Sequence, residues 1–195
     1  MINRNEITGI VLAGGKSSRM GTDKGLLDFD GKKFVQRSIA ALQPLVSRTL
    51  LVSNNPEYDI FETPRVEDLI KNAGPLAGIH TGLFHSDTNY NLVLSCDIPL
   101  IKTEILEELI SAYDPVTDVV QIVSNGKKMP LIALYHKRCE NLFYGLLQKN
   151  ERRLHVALDQ CKVKNVILNS AMDIFTSNIN TPEELKLLEY EAAKN

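Results

Sequence analysis

The sequence predicts an α/β fold with a mixed, mainly parallel central sheet, and three observations lead to it. Apolar runs of strand length alternate with amphipathic helical segments along the 195 residues, which is the pattern of βαβ units. The run ITGIVLA is apolar rather than alternating, as expected of a central strand covered on both faces. Asn125 and Gly126 stand between two later runs and favour a hairpin or an antiparallel edge. One domain, residues 1–195, is expected at this length.

The predicted strands are short apolar runs bounded by turn residues. They are residues 6–12, 48–53, 91–96, 118–124, 131–136 and 162–168. Apolar residues at helical spacing predict helices at residues 34–45, 75–85, 102–113, 138–149 and 153–160. A last helix is predicted to begin at Thr181, because threonine is a good N-cap and Pro182 suits the first helical position. Glu183 and Glu184 add favourable negative charge to its first turn.

Composition and charge exclude several classes of function. The chain has 22 basic and 24 acidic residues, whereas non-specific nucleic-acid binding needs a large basic surface. It lacks an apolar run of about 18 residues that could span a membrane, and MINRNEITG lacks the apolar segment of a signal peptide. Cys96, Cys139 and Cys161 are scattered, which fits reduced thiols. We therefore expect a cytoplasmic protein without nucleic-acid or membrane partners, whose four histidines have structural or surface roles.

The segment LAGGKSSRMGTDK, residues 12–24, predicts an anion-binding loop. Gly14 and Gly15 allow a sharp turn after the first strand and bring backbone N–H groups close to an anion. The P-loop pattern fails because its first glycine would fall on Ile10, and the dinucleotide pattern fails because the next glycine is Gly21. A tight turn with solvated charges is the structural alternative. The positive residues of the segment are Lys16, Arg19 and Lys24.

Two carboxylates are predicted to lie near this loop. Asp97 follows the strand at residues 91–96, and ligands of open parallel sheets bind outside the carboxyl ends of the strands. Mg²⁺ prefers one or two carboxylates together with substrate phosphates, so Asp97 is predicted to hold this ion. Helix capping by Asp97 is less favoured, because Pro99 and Leu100 separate it from the next helix. The second carboxylate is Asp68. For this residue, a structural position in a surface loop is supported nearly as well as a role in the site.

Two further segments carry residues suited to a ligand. Gly74 and Pro75 lead into a helix in which small residues around Gly78 would let a planar or bulky ligand approach the backbone. Asn178 and Asn180 precede the last helix and offer amide donors or neutral oxygen ligands. Asparagine is also common in loops before helix caps, so a structural role for both residues stays open.

Together these motifs resemble those of a known family. LAGGKSSRMGTDKGLL resembles the signature of nucleotidyltransferases with a Rossmann-like, three-layer α/β/α fold of the sugar-nucleotide pyrophosphorylase type. Within that superfamily, the molybdenum cofactor guanylyltransferases, or MobA family, are the most similar. They share GPLAGI, CDIPLI, NERRLHVAL and NINTPEEL in similar order, so the resemblance covers nearly the whole chain.

The resemblance implies transfer of GMP from GTP to the phosphate of molybdopterin, with Mg²⁺ as cofactor and pyrophosphate as the second product. The N-terminal part would bind GTP and the C-terminal part molybdopterin. Other molybdenum cofactor biosynthesis proteins and apo-molybdoenzymes are implied as partners. The alternatives are a CTP:molybdopterin cytidylyltransferase, a sugar- or polyol-phosphate nucleotidyltransferase, and a non-catalytic nucleotide-binding maturation factor.

The resemblance also implies roles for individual residues. Lys24, Arg19 and Asp97 would be catalytic, with Asp97 as the metal ligand, and Arg153 is a candidate anion contact. The family often has an NxN-like pair after the second strand, whereas this chain has Ser53-Asn54-Asn55, so only Asn55 matches. The implied binding residues are Leu12, Ala13, Gly14, Gly15, Lys24, Asn55, Asp68, Gly78, Asp97, Asn178 and Asn180, with Gly21 shaping the loop.

Overall fold

The computed structural model describes residues 2–14, 23–181 and 183–187. Its strands are β1 (Ile7–Leu12), β2 (Asp28–Phe29), β3 (Lys32–Lys33), β4 (Arg48–Val52), β5 (Arg65–Val66), β6 (Tyr90–Ser95), β7 (Val119–Ser124), β8 (Lys127–His136) and β9 (Val163–Ile167). Its helices are α1 (Phe34–Leu42), α2 (Gly74–His85), α3 (Thr103–Ala112), α4 (Cys139–Gln148) and α5 (Leu154–Leu158). Each strand predicted from an apolar run is present, with shifted ends.

Among the described strands, one 7-stranded sheet has the order β5-β4-β1-β6-β8-β7-β9. β1 pairs in parallel with β4 on one side and with β6 on the other, so Ile10 lies between Leu50 and Val93. β8 runs antiparallel to β6 and β7, and β9 is parallel to β7. The mixed, mainly parallel sheet is therefore confirmed, as is the position of the first strand inside it.

Helices cover both faces of this sheet. Successive residues of a strand point to opposite faces, so Leu94 packs in one hydrophobic cluster and Val93 in another. The first cluster includes Leu106 of α3 and residues of α1, and the second includes Leu83 of α2 and residues of α4 and α5. This arrangement confirms the three-layer α/β/α prediction and leaves the ends of the strands free to form a site.

The predicted turn at Asn125 and Gly126 is confirmed. Both residues have positive φ, 50° and 70°, which is the combination that a two-residue hairpin turn requires. Of the two predicted arrangements the structure has the hairpin and not the antiparallel edge, because β8 lies between β6 and β7 and the strand at this edge of the sheet is β9. β8 also begins at Lys127, ahead of Pro130, because a register shift in its pairing with β7 accommodates the proline.

The short antiparallel pair of β2 and β3 is absent from the sequence-based prediction. Asp30 and Gly31 form its turn with positive φ values of 52° and 71°, so the Asp-Gly pair in DFDGKK is the local signal that identifies it. Thr181 caps the helical residues 183–187 as predicted, since its Oγ1 accepts from the Glu184 N–H at 3.2 Å. Across the described parts of the chain, no helix is both long and apolar enough to cross a bilayer.

Gly82 determines how closely α2 packs on β1. A Cβ at this position would lie 2.5 Å from Cγ2 and 2.8 Å from Cδ1 of the buried Ile10. We expect Gly82→Ala to lower the free energy of unfolding by about 1–3 kcal/mol, because extra atoms in a packed core force shifts. Gly145→Ala is the control, since nothing lies within 4 Å of its added Cβ. In the control, the free energy of unfolding should rise by about 0.5–1 kcal/mol, because alanine favours helix α4 more than glycine does. Equal free energies of unfolding for the two variants in urea denaturation would contradict the packing argument.

Candidate active site

A cavity of about 780 Å³ lies at the carboxyl ends of β1, β4 and β6, beside the first turns of α2. This is the edge of an open α/β sheet at which ligands bind. It is large enough for a nucleotide-sized ligand, because small-molecule sites measure about 300–1,000 Å³. The predicted site residues that line it are Leu12, Ala13, Gly14, Asn55, Asp68, Gly78 and Asp97.

The backbone leaving β1 forms one wall of the cavity. Ala13 N–H still donates to the Val52 carbonyl at 3.0 Å, and the chain turns away at Gly14, whose φ is 134°. Only glycine adopts this conformation without strain, which explains the residue type at this point. The predicted site residues Gly15 and Arg19, together with Gly21, lie outside the described residues.

Lys24 contacts both Asp97, which lines the cavity, and Asn180, although the three residues lie far apart in the sequence. The Lys24 Nζ is 2.5 Å from Asn180 Oδ1 and 3.5 Å from Asp97 Oδ2. The Ser95 hydroxyl donates to Asp97 Oδ1 at 2.7 Å, and the Ile179 N–H donates to the Asp97 carbonyl at 2.8 Å. The lysine and aspartate side chains are only 21% and 16% exposed, so their charges are less screened than those of a surface pair.

Asp97 does not cap the next helix, because α3 begins at Thr103, with Lys102 as its N-cap. No cluster of three or more His, Cys, Asp or Glu side chains that could hold a metal ion occurs in residues 2–14, 23–181 and 183–187. Mg²⁺ needs only one or two carboxylates when phosphates supply further ligands. Asp97, which lines the cavity, therefore suits a metal ion that arrives with a nucleotide.

Asp68 is held at the opposite wall by Asn54. The Asn54 amide Nδ2 donates to Asp68 Oδ2 at 2.8 Å, and the Asp68 N–H donates to Asn54 Oδ1 at 3.0 Å. Burial raises the pKa of Asp68, and the hydrogen bond from Asn54 opposes this shift. Gly78 leaves space beside the carboxylate, since a Cβ there would lie 3.8 Å from Asp68 Oδ1 and 3.3 Å from Leu12 Cδ2. Sequence reasoning missed Asn54, for which the only signal is an asparagine beside a strand end.

Asn55, which the family resemblance identified, lines the cavity, but its side chain turns toward Asp23. Its amide Nδ2 lies 3.3 Å from Asp23 Oδ2. The Tyr58 hydroxyl donates to Asp23 Oδ1 at 2.5 Å. Asp23 and Tyr58 are further residues that sequence reasoning missed, because neither one belongs to a pattern that indicates their contact.

Four described candidates from the sequence are not among the lining residues: Lys24, Asn180, Asn178 and Arg153. Lys24 nevertheless contacts the lining residue Asp97, and Asn180 is bonded to Lys24. Asn178 is exposed and is not one of the lining residues, although its neighbour Ile179 bonds to Asp97. Arg153 is paired with Glu151, with Nε 2.9 Å from Oε1. The adjacent Arg152 is closer to the site, because its Nη1 donates at 3.2 Å to the carbonyl of Asn72, a lining residue.

The arrangement suits charge neutralisation and positioning better than covalent catalysis. The Gly14 turn and the Asp97 carboxylate, which is paired with the Lys24 ammonium, lie at one end of the cavity, and the hydrogen-bonded Asp68 carboxylate lies at the other. Burial raises the pKa of the nearby Cys96 thiol far above its usual range, so a reactive thiolate is disfavoured there. A polyphosphate near Lys24 and a hydrogen-bonding base near Asp68 match this distribution of charge.

Comparison with known proteins gives consistent results. The family model described as MobA-like NTP transferase domain matches residues 9–163. A probable molybdenum cofactor guanylyltransferase from Flavobacterium johnsoniae is 39% identical over 181 residues, covering 92% of this chain and 94% of that protein. A molybdenum cofactor guanylyltransferase from Vibrio parahaemolyticus is 30% identical over 188 residues, covering 95% of this chain and 96% of that protein.

Solved structures agree with this result. The molybdopterin-guanine dinucleotide biosynthesis protein A of Archaeoglobus fulgidus superposes with a TM-score of 0.81 at 26% identity, over 96% of this chain and 100% of that chain. A 4-diphosphocytidyl-2C-methyl-D-erythritol synthase from Anaerococcus prevotii has a TM-score of 0.76 at 13% identity, over 97% of this chain and 96% of that one. The second likeness concerns the fold alone.

Proposed function

The chain belongs to the MobA-like NTP transferase family, and from this premise we propose that it transfers GMP from GTP to the phosphate of molybdopterin. The products are molybdopterin guanine dinucleotide and pyrophosphate. The observation that carries this proposal is the contact of Lys24 with both Asn180 and Asp97, of which Asp97 lines the strand-end cavity. Residues from both ends of the sequence meet in this contact, as expected if the N-terminal part binds GTP and the C-terminal part binds molybdopterin.

The reaction is an in-line displacement at the α-phosphorus of GTP. An oxygen of the molybdopterin phosphate forms the new P–O bond while the bond to pyrophosphate breaks. The attacking phosphate is already an anion at neutral pH, so a strong general base is not required. Catalysis then depends on positioning the two substrates and on neutralising charge, as in other phosphoryl transfers.

Lys24 and the Gly14 turn serve the phosphate end of GTP in this proposal. The ammonium group offsets negative charge that develops on the leaving pyrophosphate, and the backbone at Leu12, Ala13 and Gly14 lies against the nucleotide. Arg19 and the Gly15 amide are proposed to contact the phosphates as well, by likeness to the family motif. The Asn180 oxygen orients the Lys24 ammonium, to which it is hydrogen-bonded.

Asp97 is the proposed ligand for Mg²⁺. Ser95 fixes one carboxylate oxygen, and the other faces the cavity near Lys24. Held there, the ion would offset negative charge on the nucleotide phosphates. Asn178 and Asn180 are proposed to serve the molybdopterin or metal side, since their segment is anchored to the Asp97 carbonyl through Ile179.

Asp68 is the proposed contact for the guanosine part, with Asn54 holding its carboxylate in place. The guanine edge carries N–H groups that donate hydrogen bonds to a carboxylate. Gly78 keeps the neighbouring helix backbone accessible to the ring. Asn55 contributes to the same wall of the cavity.

A thermal-shift comparison of GTP, CTP, UTP and ATP, each with Mg²⁺, tests the choice of nucleotide. GTP should raise the melting temperature most, because a ligand stabilises the native state according to its own affinity. A pyrophosphate-release assay with GTP and molybdopterin tests the transfer itself. Preference for CTP would indicate a cytidylyltransferase, and release only with a sugar or polyol phosphate would indicate a different acceptor. Nucleotide binding without release from any acceptor would indicate a non-catalytic factor.

A further inference from the structure

Tyr58 is completely buried next to the turn that carries Lys24, yet the proposed chemistry does not use it. It lies in a 3₁₀ turn, Pro56–Phe61, and its side chain is 0% exposed. Its hydroxyl donates to Asp23 Oδ1 at 2.5 Å. Burial raises the pKa of Tyr58 far above its usual range, so the hydroxyl keeps its proton and remains a donor to the carboxylate.

Asp23 connects this hydroxyl to the backbone at Lys24. It is the N-cap of the 3₁₀ turn Lys24–Leu26, and its Oδ1 also accepts from the Gly25 N–H at 3.2 Å. The carboxylate therefore fixes the start of the turn, and Lys24 is the first residue of that turn. A carboxylate held by several donors has little freedom to rotate, so the direction of the lysine side chain depends on it.

Gly25 allows the tyrosine to come this close. A Cβ at this position would collide with the Tyr58 hydroxyl oxygen and would lie 3.0 Å from Tyr58 Cζ and 3.1 Å from Cys96 Sγ. The hydroxyl is thus packed directly against the turn, beside the strand end that leads to Asp97. Glycine here reflects a close approach rather than a special backbone angle.

We propose that Tyr58 is a positioning residue for guanylyl transfer, whose hydroxyl holds Asp23 and thereby fixes the Lys24 ammonium next to Asp97 and Asn180. The inference rests on the proposed function, because that function gives Lys24 its role at the phosphates. Asn55 binds the second oxygen of the same carboxylate at 3.3 Å. Since the neighbouring Asn54 holds Asp68, the hydrogen bonds of Asp23 join the nucleoside wall of the cavity to its phosphate end.

A double-mutant cycle separates this role from simple core packing. Rates of pyrophosphate release are measured for the wild type, Tyr58→Phe, Lys24→Ala and the double variant, with enzyme in excess so that slow variants remain measurable. Tyr58→Phe keeps the buried ring and removes only the hydroxyl. We expect its rate to fall by about ten- to a hundredfold, the range for losing one hydrogen bond to a charged group. In the Lys24→Ala background the same change should have no further effect.

Tyr135→Phe is the matched control. Tyr135 is also 0% exposed, and its hydroxyl has one backbone acceptor, the Pro130 carbonyl at 2.9 Å. It should lose a similar amount of thermal stability and keep the wild-type rate. Asp23→Asn provides a second variant within the same set of hydrogen bonds and should show the same dependence on Lys24.

Three results would overturn the proposal for Tyr58. They are a wild-type rate for Tyr58→Phe, an equal loss of rate with and without Lys24, and an equal loss of rate in Tyr135→Phe. The proposed function fails in a different way, because the wild-type protein itself would then release no pyrophosphate from GTP and molybdopterin.

Discussion

Replacing Asp97 by alanine is expected to abolish guanylyl transfer, with a loss of about a thousandfold or more, equivalent to about 4 kcal/mol or more in the transition state. The substitution removes the proposed metal ligand and leaves the Lys24 ammonium with Asn180 as its remaining described partner in the site. Pyrophosphate release in saturating GTP and Mg²⁺ measures the effect. Normal turnover under these conditions would refute the metal assignment.

The loss in Asp97→Ala should concern chemistry rather than folding. The bond from the Ile179 N–H to Asp97 uses the backbone carbonyl, so alanine retains it. Asp97→Asn keeps an oxygen acceptor for Ser95 but removes the charge, and should be nearly as inactive. Asp87→Ala is the control: Asp87 is 83% exposed and pairs with Arg48 at 2.9 Å. It should keep full activity and lose at most about 1 kcal/mol of stability, as surface ion pairs do.

The parts of the fold that follow from local patterns could be predicted. A run that is apolar on both faces identifies a central strand, and β1 lies between two parallel neighbours. Asn125 and Gly126 fix a turn by their own backbone preferences. The place of β8 inside the sheet could not be obtained in this way, because strand order depends on which distant strands pair. A proline in the run also concealed the beginning of β8, which only the irregular register explains.

The same distinction holds for the site: features marked by the local sequence could be predicted, whereas contacts between distant residues could not. Asp97 could be located because a strand end and a following Pro99 are visible in the sequence. The contact between Asp97 and Lys24 could not be predicted. The same is true of the Lys24–Asn180 bond, because its partners are 156 positions apart. In the loop after β4, two adjacent asparagines have different partners. Family spacing selects Asn55, whose side chain contacts Asp23, but it is Asn54 that holds Asp68.

Lys24→Ala is expected to lower kcat/KM by about a hundred- to a thousandfold, which corresponds to about 2.7–4 kcal/mol for one preorganised electrostatic group. Negative charge grows on the pyrophosphate as it leaves, so the ammonium interacts more strongly with the transition state than with bound GTP. For this reason kcat should fall by a larger factor than the KM for GTP rises. Steady-state kinetics of pyrophosphate release with varied GTP separates the two constants.

Lys164→Ala is the control for Lys24→Ala. Lys164 is 45% exposed on β9 and pairs with Asp114 at 3.1 Å, away from the cavity. It should leave both constants unchanged, and wild-type kinetics in Lys24→Ala would exclude that lysine from the site. Lys24→Arg sharpens the test, because a guanidinium keeps the charge but has a planar, wider set of donors. Since Lys24 Nζ fits between Asn180 and Asp97, arginine should restore GTP binding better than it restores kcat.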